Sequence, residues 1–296
     1  MCRHIQIISD GSCDLTKEEL ISLNVVVNPF NVSFDGETYL KENIDFSVRE
    51  FYQKLVDNPK IFPKTSLPTT RSYFDIFVEN AKKGNDIICI CISTKLSGSY
   101  NSAQTAATMC TERYPECKIK VIDSKLITCL QGLLVKEVCA MRDKNYDIDT
   151  IEKIANEIKE TARIYFTVGN LDYLRHGGRI GKLSGLVGAT LRIKPIIILE
   201  DGELHSKGLC FTRNQSLVKI LKLTKMHFEE SGTNANDYRF LLGYGYDIKE
   251  GESFHQKVKE TLNRCDVEIA QIGTTIGVHS GPYPMGIAFI KKHDNI

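Results

Sequence analysis

Three short segments of this chain gather hydroxyls, a histidine and small residues in a pattern suited to holding an anion: Thr65-Ser66, Ser97-Gly98-Ser99 and His279-Ser280-Gly281-Pro282. Hydroxyl and imidazole groups can direct several hydrogen bonds onto one carboxylate or phosphate. The second segment belongs to Leu96 to Ala103, Leu-Ser-Gly-Ser-Tyr-Asn-Ser-Ala, close behind the apolar run Ile87-Ile88-Cys89-Ile90-Cys91-Ile92. Such a run reads as a strand buried on both faces. Leu96 to Ala103 therefore sits at the strand's carboxyl end, where open α/β sheets bind ligands and a helix N-terminus favours negative charge. Ser97 also reads as a helix N-cap, a role compatible with donating to a ligand. Arg179 offers either a forked cation for an acid or a brace for a loop through backbone carbonyls.

Serine with histidine also raises nucleophilic catalysis, with Ser97 activated by His279. Leu-Ser-Gly-Ser-Tyr lacks the Gly-x-Ser-x-Gly elbow, and no aspartate is marked as the histidine's orienting partner. A serine hydrolase acting on an acyl ester stays as one rival, and a regulatory protein binding another small acid as a second. His279 reads equally as a buried, hydrogen-bonded histidine beside a fixed Gly281-Pro282 turn. The glycine-rich segment from Leu174 to Ala189 matches neither the dinucleotide nor the Walker pattern. If Lys182 to Leu191 is a helix, Gly181, Gly185 and Ala189 form one stripe. That stripe either admits a close neighbour or leaves room for a slender apolar ligand between Leu183, Leu186 and Val187. Asp10, Asp14 and Asp123 come after strands, match no calcium loop and read as turn-stabilising acids, so no metal is assigned.

The elements that must position these groups are read from periodicity. His4 to Ile8 reads as a strand leading into the loop Asp10 to Asp14, with Thr16 and Glu19 forming a capping box. Val25 to Phe34 reads as extended and turns at Asp35-Gly36 into Glu37 to Leu40. Ser47 to Val56 is helical by its apolar spacing, and Pro63 and Pro68 hold Thr65-Ser66 in an extended loop. A helix around Tyr73 to Val78, the Ile87 strand, a strand over Lys118 to Ile122 and helices around Leu130 to Met141 and Ile148 to Ala162 complete a βα alternation. Beyond Ile164 the pattern changes to an antiparallel hairpin, Ile193 to Glu200 and Glu203 to Cys210, with further strands over Tyr238 to Tyr244, Val267 to Ile272 and Met285 to Ile290. The expected fold class is α/β in two domains. Residues 1–160 would form a mainly parallel sheet flanked by helices, and residues 161–296 an α/β domain with a mixed or antiparallel sheet.

Size and charge narrow the function classes. The 296 residues carry 38 lysines and arginines against 37 aspartates and glutamates, so no overall field recruits nucleic acid or an anionic membrane. Ten cysteines occur without a Cys-x-x-Cys pair and read as reduced thiols in a cytoplasmic protein; Cys89 and Cys91, on one strand face, read as core. No signal peptide opens the chain. Leu183 to Leu199 is interrupted by Arg192, Lys194 and Pro195, well short of the ~20 apolar residues of a membrane span.

Taken together, Ser9-Asp10-Gly11-Ser12-Cys13-Asp14-Leu15, Thr65-Ser66-Leu67-Pro68-Thr69, Leu96 to Ala103, Val121-Ile122-Asp123-Ser124, Leu174 to Gly181 and His279-Ser280-Gly281-Pro282 resemble the DegV family. Its better-understood members are the fatty-acid-binding subunits, called FakB, of bacterial fatty acid kinase. The resemblance implies two α/β domains enclosing one long-chain fatty acid at their junction, with no other cofactor. It implies that Thr65 and Ser97 hydrogen-bond the carboxylate, that Ser66 supports that loop, and that His279 and Arg179 complete the polar end, with Gly98 and Ser280 in support. It further implies no catalysis by the chain itself. The acyl group would be presented to a separate ATP-binding kinase subunit whose acyl phosphate feeds phospholipid synthesis, and transient membrane contact is allowed. Tyr283 stands where the family usually has a second glycine after the proline, and His176 where a lysine is usual. Lys207 to Arg213 departs from the usual basic pattern on a surface suited to docking the kinase subunit.

Overall fold

A computed structural model describes residues 3–186 and 193–296. In chain order the first half runs β1 (Ile5–Asp10), α1 (Lys17–Ser22), β2 (Val25–Asn28), β3 (Asn31–Ser33), β4 (Leu40–Lys41), α2 (Val48–Asp57), β5 (Lys64–Ser66), α3 (Thr70–Lys82), β6 (Asp86–Cys91), α4 (Ser99–Arg113), β7 (Ile119–Asp123), α5 (Thr128–Asp143) and α6 (Ile148–Ile158). The second half runs β8 (Arg163–Thr167), α7 (Asp172–His176), β9 (Lys194–Glu200), β10 (Glu203–Cys210), α8 (Arg213–Ser231), β11 (Tyr238–Tyr244), α9 (Ile248–Leu262), β12 (Glu268–Gln271), α10 (Thr274–Ser280) and β13 (Met285–Lys291).

The apolar run is β6, buried along its whole length at the centre of a parallel sheet ordered β2-β1-β6-β7. Its side chains alternate between two cores. Ile88 and Ile90 pack with α5, while Ile87, Cys89 and Cys91 pack with Tyr73 and Phe77 of α3 and Ala103 and Ala106 of α4. This is the two-sided covering that a continuous β-branched strand requires. The Thr16 capping box with Glu19 forms as expected.

The second sheet has the order β10-β9-β8-β13-β11-β12 and is antiparallel except for the β11-β12 pair. The architecture is therefore the expected α/β arrangement of a helix-flanked parallel sheet and a separate mixed sheet. One face of the mixed sheet lies under α8 and α9, with Ile220 and Phe254 against Phe240, Leu242 and Phe289. The other face, through Ile164, Phe166, Ile197 and Ala288, joins the core that holds Ile88 and Ile90. Helix α5 lies between the sheets and is apolar on nearly every side, as a helix without a solvent face must be.

Several local expectations are corrected. Val25 to Phe34 is not one strand: at Pro29, which has no N–H to donate, β2 leaves the parallel sheet, and β3 starts a three-stranded sheet ordered β4-β3-β5. Thr65-Ser66 is not a loop but part of β5, with Thr65 opposite Val32 and Ser66 opposite Asn31. Of the proposed strand Glu37 to Leu40, only Leu40–Lys41 pairs. His279 and Ser280 end helix α10 rather than opening a loop. Residues Gly181–Leu186 form a tight 3-10 turn, not the start of an α-helix, and residues 187–192 of the suggested Lys182 to Leu191 helix lie outside the described residues.

Helix α10 has an unusual cause. Gly273 at its N-cap supplies no side-chain bond. The cap comes instead from the buried Glu42 carboxylate, which accepts from Thr274 Oγ1 (2.7 Å), Thr275 N (3.1 Å) and Thr275 Oγ1 (2.6 Å) while its other oxygen accepts from Phe30 N (3.0 Å). Four donors compensate much of the cost of burying this carboxylate, and its negative end faces the helix N-terminus. Burial still holds its pKa above the usual carboxylate value. Gly277 lets the helix lie flush on α2, since a Cβ there would meet Phe51 Cε1 at 2.6 Å and Tyr52 Oη at 3.0 Å.

Candidate functional site

The carboxyl end of β6, strand β5 and helix α10 converge on one cavity of about 270 Å³. Thr65, Ser66, Ser97, Arg179, His279 and Ser280 all border it. Gly98 borders instead an adjoining outer space of about 370 Å³, which shares Leu96, Ser97, Arg179 and Leu204 with the first. Ser97 and Arg179 thus stand where the two spaces meet. The remaining walls are apolar, among them Phe30, Ile92, Ile127, Phe166 and Ile276. Past Phe166 and Ile276 a narrow space of about 20 Å³ continues toward Ile164, Gly243, Ile272 and Gly286. Its two hydroxyls are turned to protein partners, Thr128 donating to Asp14 and Ser280 to the Ile276 carbonyl, so the channel wall presents apolar groups.

Thr65 Oγ1 lies 3.0 Å from His279 Nε2. The ring is pressed against Gly177, where a Cβ would overlap Nδ1, and that nitrogen is buried without a hydrogen-bond partner among the described residues. Burial first, and the Arg179 charge second, push the His279 pKa down to about 3. The ring is therefore neutral near pH 7. Its folded pKa lies below the ordinary 6.5, so stability rooted in the neutral ring is present above pH 6.5 and is lost as pH falls toward 3, where only the unfolded chain takes up the proton readily. The His279 ring resonances are accordingly expected not to titrate between about pH 5 and 8 by NMR, whereas an unperturbed histidine passes its midpoint there. A midpoint near 6.5 would contradict this burial of the ring.

Ser97 is not the N-cap of α4; Gly98 holds that position without a side-chain bond. Ser97 Oγ accepts from Ser99 N at 3.2 Å, which occupies one of its lone pairs from behind and leaves its proton to be donated elsewhere. Arg179 takes the bracing role: Nη1 donates to the Gly177 carbonyl (2.7 Å) and Nε to the Leu96 carbonyl (3.2 Å), tying the α7 end to the Ser97 loop. A Ser97-His279 pair is not formed, because Nε2 of the histidine is engaged with Thr65. The hydrolase reading thus lacks its nucleophile–base contact among the described residues.

The acids after the strands divide. Asp123 supports its turn, accepting from Thr94 N and Lys125 N; Asp10 likewise caps the turn that follows it, accepting from Ser12 N (3.4 Å), and in addition it accepts from Ile92, Ser99 and Gln131, far away in sequence. No group of three or more metal-type side chains occurs among the described residues. Cys89 and Cys91 are buried in the core with their sulfurs 3.8 Å apart. A larger groove of about 650 Å³ runs between Lys125, Lys159 and helix α8. Lys125 is engaged with Glu160 and Lys159 with the Asp123 carbonyl, and the groove shares none of the residues singled out for the carboxylate, although Lys207, from the stretch singled out as a docking surface, lines it. The sequence does not mark the walls Phe30, Phe166 and Leu204, which in a chain read alone are ordinary core residues.

Comparison with known proteins fits this arrangement. Residues 4–292 match a family model described as "Uncharacterised protein, DegV family". A DegV domain-containing protein of Clostridium perfringens is 31% identical over 287 residues, covering 96% of each chain. The crystal structure of a stearic acid-binding protein from Eubacterium ventriosum is 40% identical and superposes with a TM-score of 0.94 over 99% of this chain and 100% of that one. A DegV family protein from Thermus thermophilus, whose structure is described for its fatty acid binding, shares the fold at 23% identity and a TM-score of 0.87, over 97% and 99% of the two chains. No helix among the described residues is long and apolar enough to cross a membrane. By the match along nearly its whole length, this chain belongs to the DegV family.

Proposed function

We propose that the protein binds one long-chain fatty acid, with its carboxylate among Thr65, Ser97 and His279 and its tail along the channel past Phe166. The observation that carries this reading is the polarity of a single cavity: hydroxyls and an imidazole line one part of it, and an apolar channel continues from it. Binding of stearic acid by the 40%-identical Eubacterium ventriosum protein supports it. Each buried methylene contributes ~0.8 kcal/mol, so a long tail supplies most of the affinity and the polar end sets orientation. Thr65 has one proton. To donate it to a carboxylate, its oxygen accepts from His279 Nε2–H, which fixes the tautomer of the neutral ring. Ser97 is turned the same way by Ser99 N–H. Ser66 and Gly98 support the mouth, Ser280 stands where the cavity narrows into the channel, and Arg179 ties the α7 end to the Ser97 loop while adding positive charge beside the carboxylate.

In this reading residues 1–160 and 161–296 act as two domains that supply opposite walls. The chain is a cytoplasmic carrier that presents the acyl carboxylate to a separate ATP-using kinase subunit, and catalysis belongs to that partner. Mass spectrometry of denatured, freshly purified protein is expected to release a long-chain fatty acid in near-stoichiometric amount. Repeated absence of such an acid, with added oleate also failing to bind, would sink the proposal. Acyl phosphate formed only when protein, ATP and a fatty acid kinase ATP-binding subunit are combined is the result expected for the carrier role. ATP-dependent product from this chain alone would refute it.

A further inference from the structure

One fully buried carboxylate stands behind the cavity without bordering it. Asp10, at the carboxyl end of β1, has no exposed surface. Its Oδ2 accepts from Ile92 N (3.0 Å) and Ser99 Oγ (2.7 Å). Its Oδ1 accepts from Ser12 N (3.4 Å), Ser12 Oγ (2.5 Å) and Gln131 Nε2 (2.9 Å). Ile92 is the residue that leaves β6 and Ser99 the first residue of α4, so one carboxylate oxygen ties together both ends of the loop that carries Ser97. Ser99 has given its own proton to Asp10, so Tyr73 Oη, 2.7 Å away, donates to Ser99 Oγ. With its side chain held from both sides, Ser99 keeps its free first-turn N–H aimed at Ser97 Oγ.

We propose that Asp10 is a positioning residue for the acyl carboxylate: through Ser99 it holds the Ser97 hydroxyl as a hydrogen-bond donor directed into the cavity. The assignment rests on the fatty-acid reading of the cavity. Its basis is chemistry specific to a carboxylate. Five donors converge on Asp10, and a carboxylate is the side chain that accepts from all of them while donating to none. An asparagine in its place turns an NH₂ group toward Ile92 N–H and Ser99 Oγ–H, or toward Gln131 Nε2 and Ser12 Oγ. Turned the first way it breaks the loop's tie; turned the second way it keeps that tie and loses only the Gln131 anchor, since Ser12 Oγ can donate instead to Gln131 Oε1 (2.8 Å), so alanine, which removes every acceptor, is the deletion that tests the tie.

The test compares a long-chain fatty acid with the primary alcohol of the same length, which keeps the tail and carries no anionic oxygen, by calorimetric titration of delipidated protein. Ser97→Ala and Asp10→Ala are each expected to weaken the acid by about tenfold or more, with the alcohol changed by less than about threefold. Because both act through one hydroxyl, the double variant should lose no more than Ser97→Ala alone. Equal losses for acid and alcohol, or effects that add in the double variant, would overturn the assignment and leave Asp10 a purely structural group. Ser99→Ala, which deletes a single hydroxyl, takes the place of Asp10→Ala if that variant does not fold, with the same pattern expected. Failure of the unaltered protein to bind either ligand would refute the lipid reading itself, a result distinct from retained binding with an unchanged acid-to-alcohol ratio.

Discussion

Thr65→Val should weaken binding of a long-chain fatty acid by about ten- to hundredfold, because a hydrogen bond to a charged group contributes about 1.5–3 kcal/mol. Valine keeps the branched shape that suits β5 and its pairing with Val32, so the strand itself is preserved. The variant removes one donor to the carboxylate and the only bond that His279 makes through Nε2 among the described residues. Since Nδ1 already lacks a partner among them, the imidazole is left with neither nitrogen satisfied. A buried polar group without a partner costs about 1–3 kcal/mol, so a fall in stability of that order should accompany the loss of affinity. Displacement of a fluorescent fatty acid measures the first effect and urea unfolding the second. Unaltered affinity would remove Thr65 from the carboxylate.

Gly177→Ala should act on the same histidine from the opposite side. Gly177 has an ordinary backbone conformation, φ −74°, so alanine meets no conformational penalty there. Space is the whole constraint: the added Cβ would overlap His279 Nδ1 and come within 2.9 Å of Cε1. Either the ring leaves Thr65 or the α7 end moves and takes with it the Gly177 carbonyl that anchors Arg179. Overpacking of this kind costs about 1–3 kcal/mol, and the acid should bind at least about tenfold more weakly as the clamp opens. The neighbouring Gly178→Ala separates the two causes. Gly178 is left-handed, φ +67°, with no described atom within 4 Å of a Cβ, so alanine there should cost about 1–2 kcal/mol of backbone strain while His279 stays in place and acid affinity is kept. Equal loss of affinity in both variants would mean that the loop as a whole, and not the histidine contact, governs binding.

The parts of this molecule legible in the sequence are those whose signal is local. The Ile87 to Ile92 run announces a doubly covered strand because both of its faces must be apolar, and Tyr238–Tyr244 and Glu203–Cys210 are legible to the residue. Thr65, Ser97 and His279, polar groups in small-residue segments, border one cavity although 214 positions separate the first from the last. The rest is hidden because its cause is remote. Three-residue β5 is too short to show alternation and exists because β3 supplies its ladder. Helix α10 carries no cap in its own sequence, since Glu42 reaches it from 232 positions away. Asp10 reads as one more acid in a turn, because its partners at Ile92, Ser99 and Gln131 are brought to it only by the parallel sheet. The order of the walls, from Phe30 to Phe166, is equally a product of topology: residues that read as core become a channel only when the two sheets are set around α5.

The central claim is that one cavity takes a fatty acid head outward and tail inward, and a crystal structure of the protein saturated with a long-chain acid tests it most directly. The carboxylate should lie within hydrogen-bonding distance of Thr65 Oγ1 and Ser97 Oγ, with the chain passing Phe166 toward Gly243 and Gly286. An acid bound elsewhere on the protein, or in this cavity with its carboxylate among Ile164 and Ile272, would contradict the account.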